Sequence, residues 1–155
     1  MYIMSKSYNT TFNLAMLQEN LTDLVIPSDY FNGNGISSFI LSNNGNLRRI
    51  GIGNNTFRRV REFELNGLKE LESVVIGQKS FTYAKTDSAV SSSTRTDGSY
   101  RILNCPKLTS IQIGDYSFSD YHSIDLHNLP SLESIDIGKS GFYNTPSFSL
   151  TGLID

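Results

Sequence analysis

One phrase of apolar positions recurs along the chain. Leu21, Leu47, Leu71, Leu108 and Leu132 each open it, at intervals of 26, 24, 37 and 24 residues. The underlying period is 24, and the long interval carries an excess of 13 residues. Three residues after each leading leucine stands Leu24, Ile50, Val74, Ile111 or Ile135, and two further on stands Ile26, Ile52, Ile76, Ile113 or Ile137. Alternation rich in β-branched residues predicts a short strand with one buried face. A turn-former follows each strand: Pro27 in the first copy, then Gly53, Gly77, Gly114 and Gly138. The chain bends there.

Ten residues after every leading leucine comes a phenylalanine: Phe31, Phe57, Phe81, Phe118 and Phe142. The later half of each copy carries a second alternation, Phe39/Leu41, Phe63/Leu65, Tyr100/Ile102, Ile124/Leu126 and Phe148/Leu150, which predicts a second extended side. Two residues beyond it lies Asn43, Gly67, Asn104, Asn128 or Gly152. Asn and Gly exchange most readily where the backbone needs a positive φ, so this column predicts a second corner. Leu68, Cys105, Leu129 and Leu153 then point back inward, and Asn44, which interrupts that column, is expected to bond neighbouring backbone.

A coil of this kind cannot bury its apolar edge alone, whereas stacked coils join those edges into one core. The pattern predicts a mainly β, right-handed solenoid of about five 24-residue coils, with a parallel sheet along the leading strands and little or no helix. Residues 1–155 form a single domain in this reading, with 1–11 as an N-terminal cap and 82–99 as a loop insertion. Phe12, Leu14 and Leu17 imitate the later half of a coil, so the stack is expected to begin near Phe12. The Ser/Thr-rich stretch from Ser88 to Ser99 has too few apolar residues to order itself, which favours a surface loop over a partner-contacting or phosphorylatable excursion. At the other end Phe148, Leu150 and Leu153 belong to the repeat columns with no further coil after them. That edge is expected to be adhesive, as the end of a fragment or as a site of homo-association.

The phrases Leu71-x-x-Val74-x-Ile76-x-x-Lys79-x-Phe81 and Leu132-x-x-Ile135-x-Ile137-x-x-Ser140-x-Phe142 resemble the leucine-rich-repeat family over essentially Phe12 to Leu153. Within it, the Ile-Gly-x-x-Ser-Phe phrase at Ile76 to Phe81 and at Ile113 to Phe118 is similar to the BspA-like group of bacterial and protist proteins. The resemblance implies a non-enzymatic recognition module working through its strand face, and the BspA-like likeness implies cell-surface adhesion. The family's ladder asparagine is kept only at Asn55, with Asp29, Lys79, Tyr116 and Ser140 in the other copies, so a continuous asparagine ladder at that column is not expected.

Charge and chemistry change this picture little. With 13 basic and 15 acidic residues the formal charge is −2, which supplies no field for nucleic acid or an anionic membrane. No 18-residue apolar run predicts a membrane span and no signal peptide is visible, so a cytoplasmic location is expected, or a cell-surface one if the chain is a fragment. The triplets beginning at Asn9, Asn20 and Asn54 would accept glycans only in a secreted protein. One cysteine and two histidines leave no zinc-motif spacing, and Cys105 reads as a buried hydrophobe in a leucine column. His122, His127 and Asp120 with a serine make a catalytic triad only on paper, since all are expected in turns or at exposed positions without a nucleophile elbow. Neither a catalytic residue nor a cofactor or metal site is predicted. Arg48, Arg49, Arg58, Arg59 and Arg61 cluster in one coil and read as a solvated edge offset by Glu62, Glu64, Glu70 and Glu72, rather than as a contact for an acidic partner. The expected partner-binding surface is the outward side of the leading strands: Asp23, Arg49, Ser73, Ser110 and Ser134, with Val25, Gly51, Val75, Gln112 and Asp136 beside them.

Overall fold

The computed structural model describes residues 11–12, 20–33, 35–82 and 97–152. Each apolar alternation becomes a strand, and among the described residues there is no helix. The leading strands are β2 (Asp23–Ile26), β4 (Arg49–Ile52), β6 (Ser73–Ile76), β8 (Ser110–Ile113) and β10 (Ser134–Ile137). The trailing strands are β1 (Thr11–Phe12), β3 (Ser38–Ser42), β5 (Glu62–Asn66), β7 (Ser99–Leu103), β9 (Ser123–His127) and β11 (Ser147–Thr151). Successive coils stack so that the leading strands form one parallel five-stranded sheet and the trailing strands a parallel six-stranded one. Both long sides of the β-solenoid are therefore sheets, where the sequence argued a sheet only for the first. The core lies between them, and its register follows the columns read from the sequence: Leu24, Ile50, Val74, Ile111 and Ile135 are aligned partners.

Two aromatic columns fill that core. Phe31, Phe57, Phe81, Phe118 and Phe142 stack face to face at centroid separations of 4.8, 5.3, 4.6 and 5.1 Å. Phe12, Phe39, Phe63 and Tyr100 form a second stack at 4.9, 5.1 and 4.9 Å. The columns meet edge to face, as between Phe63 and Phe81 at 5.3 Å and 86°. All five phenylalanines of the first column have a positive φ, between 51° and 57°. A left-handed conformation costs a bulky residue about 1–2 kcal/mol. Burying the ring contributes about 1.5–3 kcal/mol, and aromatic pairing adds about 0.5–1.5 kcal/mol. Packing wins, and the backbone accepts the strain.

The first corner is held from coil to coil by hydroxyls. Ser80 Oγ donates to the Gly53 carbonyl at 2.9 Å and accepts from the Thr56 N–H at 3.2 Å. Ser117 repeats this on the next coil, donating to the Gly77 carbonyl at 2.7 Å and accepting from the Ser80 N–H at 3.0 Å. Thr56, Ser80 and Ser117 are fully buried, so the serine of the Ile-Gly-x-x-Ser-Phe phrase is a structural tie. The glycines before it serve close approach rather than φ. A Cβ on Gly114 would lie 2.5 Å from the Gln78 nitrogen, and one on Gly53 2.4 Å from the Ser28 nitrogen. Pro27 stands in the same column of the first coil because β2 is an edge strand of its sheet, with no earlier strand paired against it among the described residues.

The second corner behaves as the Asn/Gly exchange predicts: Asn43, Gly67, Asn104, Asn128 and Gly152 have φ between 54° and 68°. Asn104 Nδ2 donates to Asn66 Oδ1 at 3.0 Å and Asn128 Nδ2 to Asn104 Oδ1 at 2.9 Å, a short amide ladder at this corner instead of at the Asn55 column. At that other column Asp29, Asn55, Lys79, Tyr116 and Ser140 all have a positive φ. The first four donate their N–H to a carbonyl of the next coil at 2.8–2.9 Å, and this main-chain tie explains how such different side chains share one position. Asn44 Oδ1 accepts from the N–H groups of Asn46 and Leu47, as expected. Leu68, Cys105 and Leu129 are buried, while Leu153 lies outside the described residues. So do residues 1–10 of the N-terminal cap, Leu14 and Leu17, and residues 83–96 of the insertion, whereas Thr11 belongs to β1. At the described ends of the insertion, Thr82 and Gly98 are buried and Ser99 opens β7.

Candidate functional site

The ten residues expected to meet a partner come together on one face. Strand pairing aligns Asp23, Arg49, Ser73, Ser110 and Ser134 in one row, and Val25, Gly51, Val75, Gln112 and Asp136 in the next. None is buried, because their sequence neighbours occupy the core side of each pleat. Asp23, Gly51, Ser73 and Ser110 are half-buried, and Val25 and Val75 are exposed at 53% and 43%. Gly51 leaves a gap between the two valines, since a methyl group added there would meet no atom nearer than 3.9 Å.

Across β6, β8 and β10 this face sinks into an open groove of about 370 Å³. Val75, Gln112 and Asp136 of the second row line it together with Gly77, Gly114, Gly138 and Asp115. The groove exists because the glycine column that lets coils approach also omits side chains along the border of the sheet. The outward row read from the sequence includes Val75, Gln112 and Asp136 but not Asp115 or the glycines. For the glycines, their recurrence after every leading strand from Gly53 to Gly138 was the available signal, and for Asp115 there was none.

Charges are distributed unevenly over the two sides of the stack. Arg49 pairs with Asp23 at 3.4 Å and Arg48 with Glu72 at 3.2 Å. Arg61 lies 3.4 Å from Asp97. The arginine cluster is thus offset partly by carboxylates other than those the sequence suggested, since Glu64 pairs with Arg101 at 2.8 Å and Glu70 with Lys107 at 2.6 Å. The Lys107 hydrogen bond holds the Glu70 carboxyl below the usual carboxylate range. Around the groove, Asp115 and Asp136 form no ion pair among the described residues.

Among the described residues no three His, Cys, Asp or Glu side chains are grouped to hold a metal ion. Asp120 lies in a turn, as expected, and is buried there, with its Oδ1 accepting from Asn144 Nδ2 at 2.9 Å. His127 is exposed, with Nδ1 2.6 Å from Thr151 Oγ1, and His122 is half-buried. Cys105 is a free, buried thiol whose Sγ lies 3.3 Å from the Leu103 carbonyl, and burial pushes it up to about 11. Among the described residues no helix is long and apolar enough to cross a membrane. No family model matches the chain, and neither a curated protein nor a solved structure matches it.

Proposed function

We propose that this chain is a leucine-rich-repeat recognition module, related to the BspA-like group, that binds a protein partner through the outward face of its leading-strand sheet without catalysing a reaction. The observation that carries this reading is the groove across β6, β8 and β10, set in a face where side chains from five coils stand in register. An array whose backbone is fixed by strand pairing costs little conformational entropy to present, which favours binding over an equally polar but unpaired surface. The test is paired. Val75→Lys with Gln112→Lys should abolish capture of a partner from the source cells, while Ile40→Lys on the trailing-strand sheet with Tyr143→Lys should leave it intact. Equal loss in both variants, or in neither, contradicts the assignment.

A second reading, self-assembly, rests on the far end of the stack. Ile135, Ile137, Phe148 and Leu150 occupy core columns yet are exposed at 36–57%. At the other end Phe12, Leu24 and Ile26 are buried. Both ends carry an edge strand, but among the described residues only this end offers an open apolar face, so association between copies would be end to end and closed, as a twofold dimer rather than a fibre.

A further inference from the structure

We propose that the groove across β6, β8 and β10 takes a lysine or arginine flanked by aliphatic residues on an extended segment of another protein. This rests on the reading of the leading-strand face as the recognition surface and names the chemistry it selects. Val75 supplies an apolar wall, Gln112 an amide, and the floor runs over Ile76, Ile113 and the glycine column. The charged side chains lining it are two carboxylates, Asp115 and Asp136. Lys79 and Lys139 lie on the same corner, where the Lys79 N–H donates to the Asp115 carbonyl and the Lys139 N–H to Asp115 Oδ1 at 2.7 Å. Neither lysine side chain forms an ion pair with Asp115 or Asp136. The negative charge of the groove is therefore left for an incoming cation, in contrast to β2 and β4, where Asp23 and Arg49 satisfy each other. Three strands about 4.8 Å apart span the length of about three extended residues, enough for one basic side chain and its neighbours.

Asp115 also allows a clean variant. Its Oδ1 does for Lys139 what Asn54 Oδ1 does for the Gln78 N–H at 2.9 Å, so Asp115→Asn removes charge while keeping the tie between coils. The probes are three ten-residue peptides alternating valine with lysine, with glutamine or with glutamate, titrated into the isotope-labelled protein and followed by amide chemical shifts. The lysine peptide should shift Val75, Gln112 and Gly138 and bind about tenfold tighter than the glutamine peptide, the scale expected of two exposed ion pairs. That advantage should shrink with salt and vanish in the Asp115→Asn, Asp136→Asn double variant. If the glutamine or glutamate peptide occupies the groove as well as the lysine peptide does, or the double variant binds lysine undiminished, the charge preference is wrong and the surface reading survives. If all shifts fall on the trailing-strand sheet, both are wrong. If no peptide shifts the groove residues, the docking proposal is overturned.

Discussion

At the residue scale, the repeat tolerates substitutions that keep volume and fails to satisfy one of them. Tyr100 occupies the ring column of Phe39 and Phe63, and its hydroxyl is buried without a hydrogen-bond partner among the described residues. Burial also pushes its phenol above the ordinary range. Removing that oxygen should stabilise the fold, so Tyr100→Phe is expected to gain about 1 kcal/mol in urea unfolding. Ser117 is the opposite case. Ser117→Ala strips the Gly77 carbonyl and the Ser80 N–H of their partner inside the corner, and should lose about 1–3 kcal/mol in the same measurement. Cys105 connects burial to pH: its thiol rises from 9.0 to about 11 on burial, so the unfolded chain loses its proton first. Its contribution to stability is complete below pH 9 and declines as pH rises towards 11. The stability difference between the protein and Cys105→Ala should narrow over that window, and a constant difference would contradict the burial of the thiol.

At the element scale, the strands were legible because each alternation is repeated five times, which removes the ambiguity of any single short apolar run. The second corner was legible because Asn and Gly share a physical reason to occur there. The first corner was read only in part. Its glycines signal a bend, but what they satisfy is the approach of one backbone to another, which no single copy reveals except by the Pro27 exception. The left-handed phenylalanines were invisible, because a bulky residue with positive φ is justified only by the stack it joins. These glycines give a paired test. Gly114→Ala places a methyl 2.5 Å from the Gln78 backbone and should shift the thermal midpoint down by several degrees, whereas Gly51→Ala, with nothing nearer than 3.9 Å, should leave it unchanged within error. Equal effects would show that backbone entropy, rather than coil spacing, selects glycine at the first corner.

At the scale of the whole molecule, a stack of like coils separates the residues that stabilise it from those that face outward. The columns facing inward are aromatic, aliphatic or hydroxyl-tied, and the outward rows are free to vary. That freedom is why the face was locatable from the sequence while the groove was not: period and pleat dictate which residues point out, but the depression arises from the meeting of three coils. The open end carries its own prediction. Sedimentation over a range of concentrations should show a monomer–dimer equilibrium that Phe148→Lys with Leu150→Lys shifts to monomer, and a monomer throughout would remove the self-assembly reading. The most direct test of the central claim is hydroxyl-radical footprinting of the protein with and without a captured partner. Val25 and Val75 should be protected in the complex while Ile40 on the trailing-strand sheet and Tyr143 keep their reactivity. Protection of Ile40 or Tyr143 with Val75 unchanged would contradict the leading-strand face as the recognition surface.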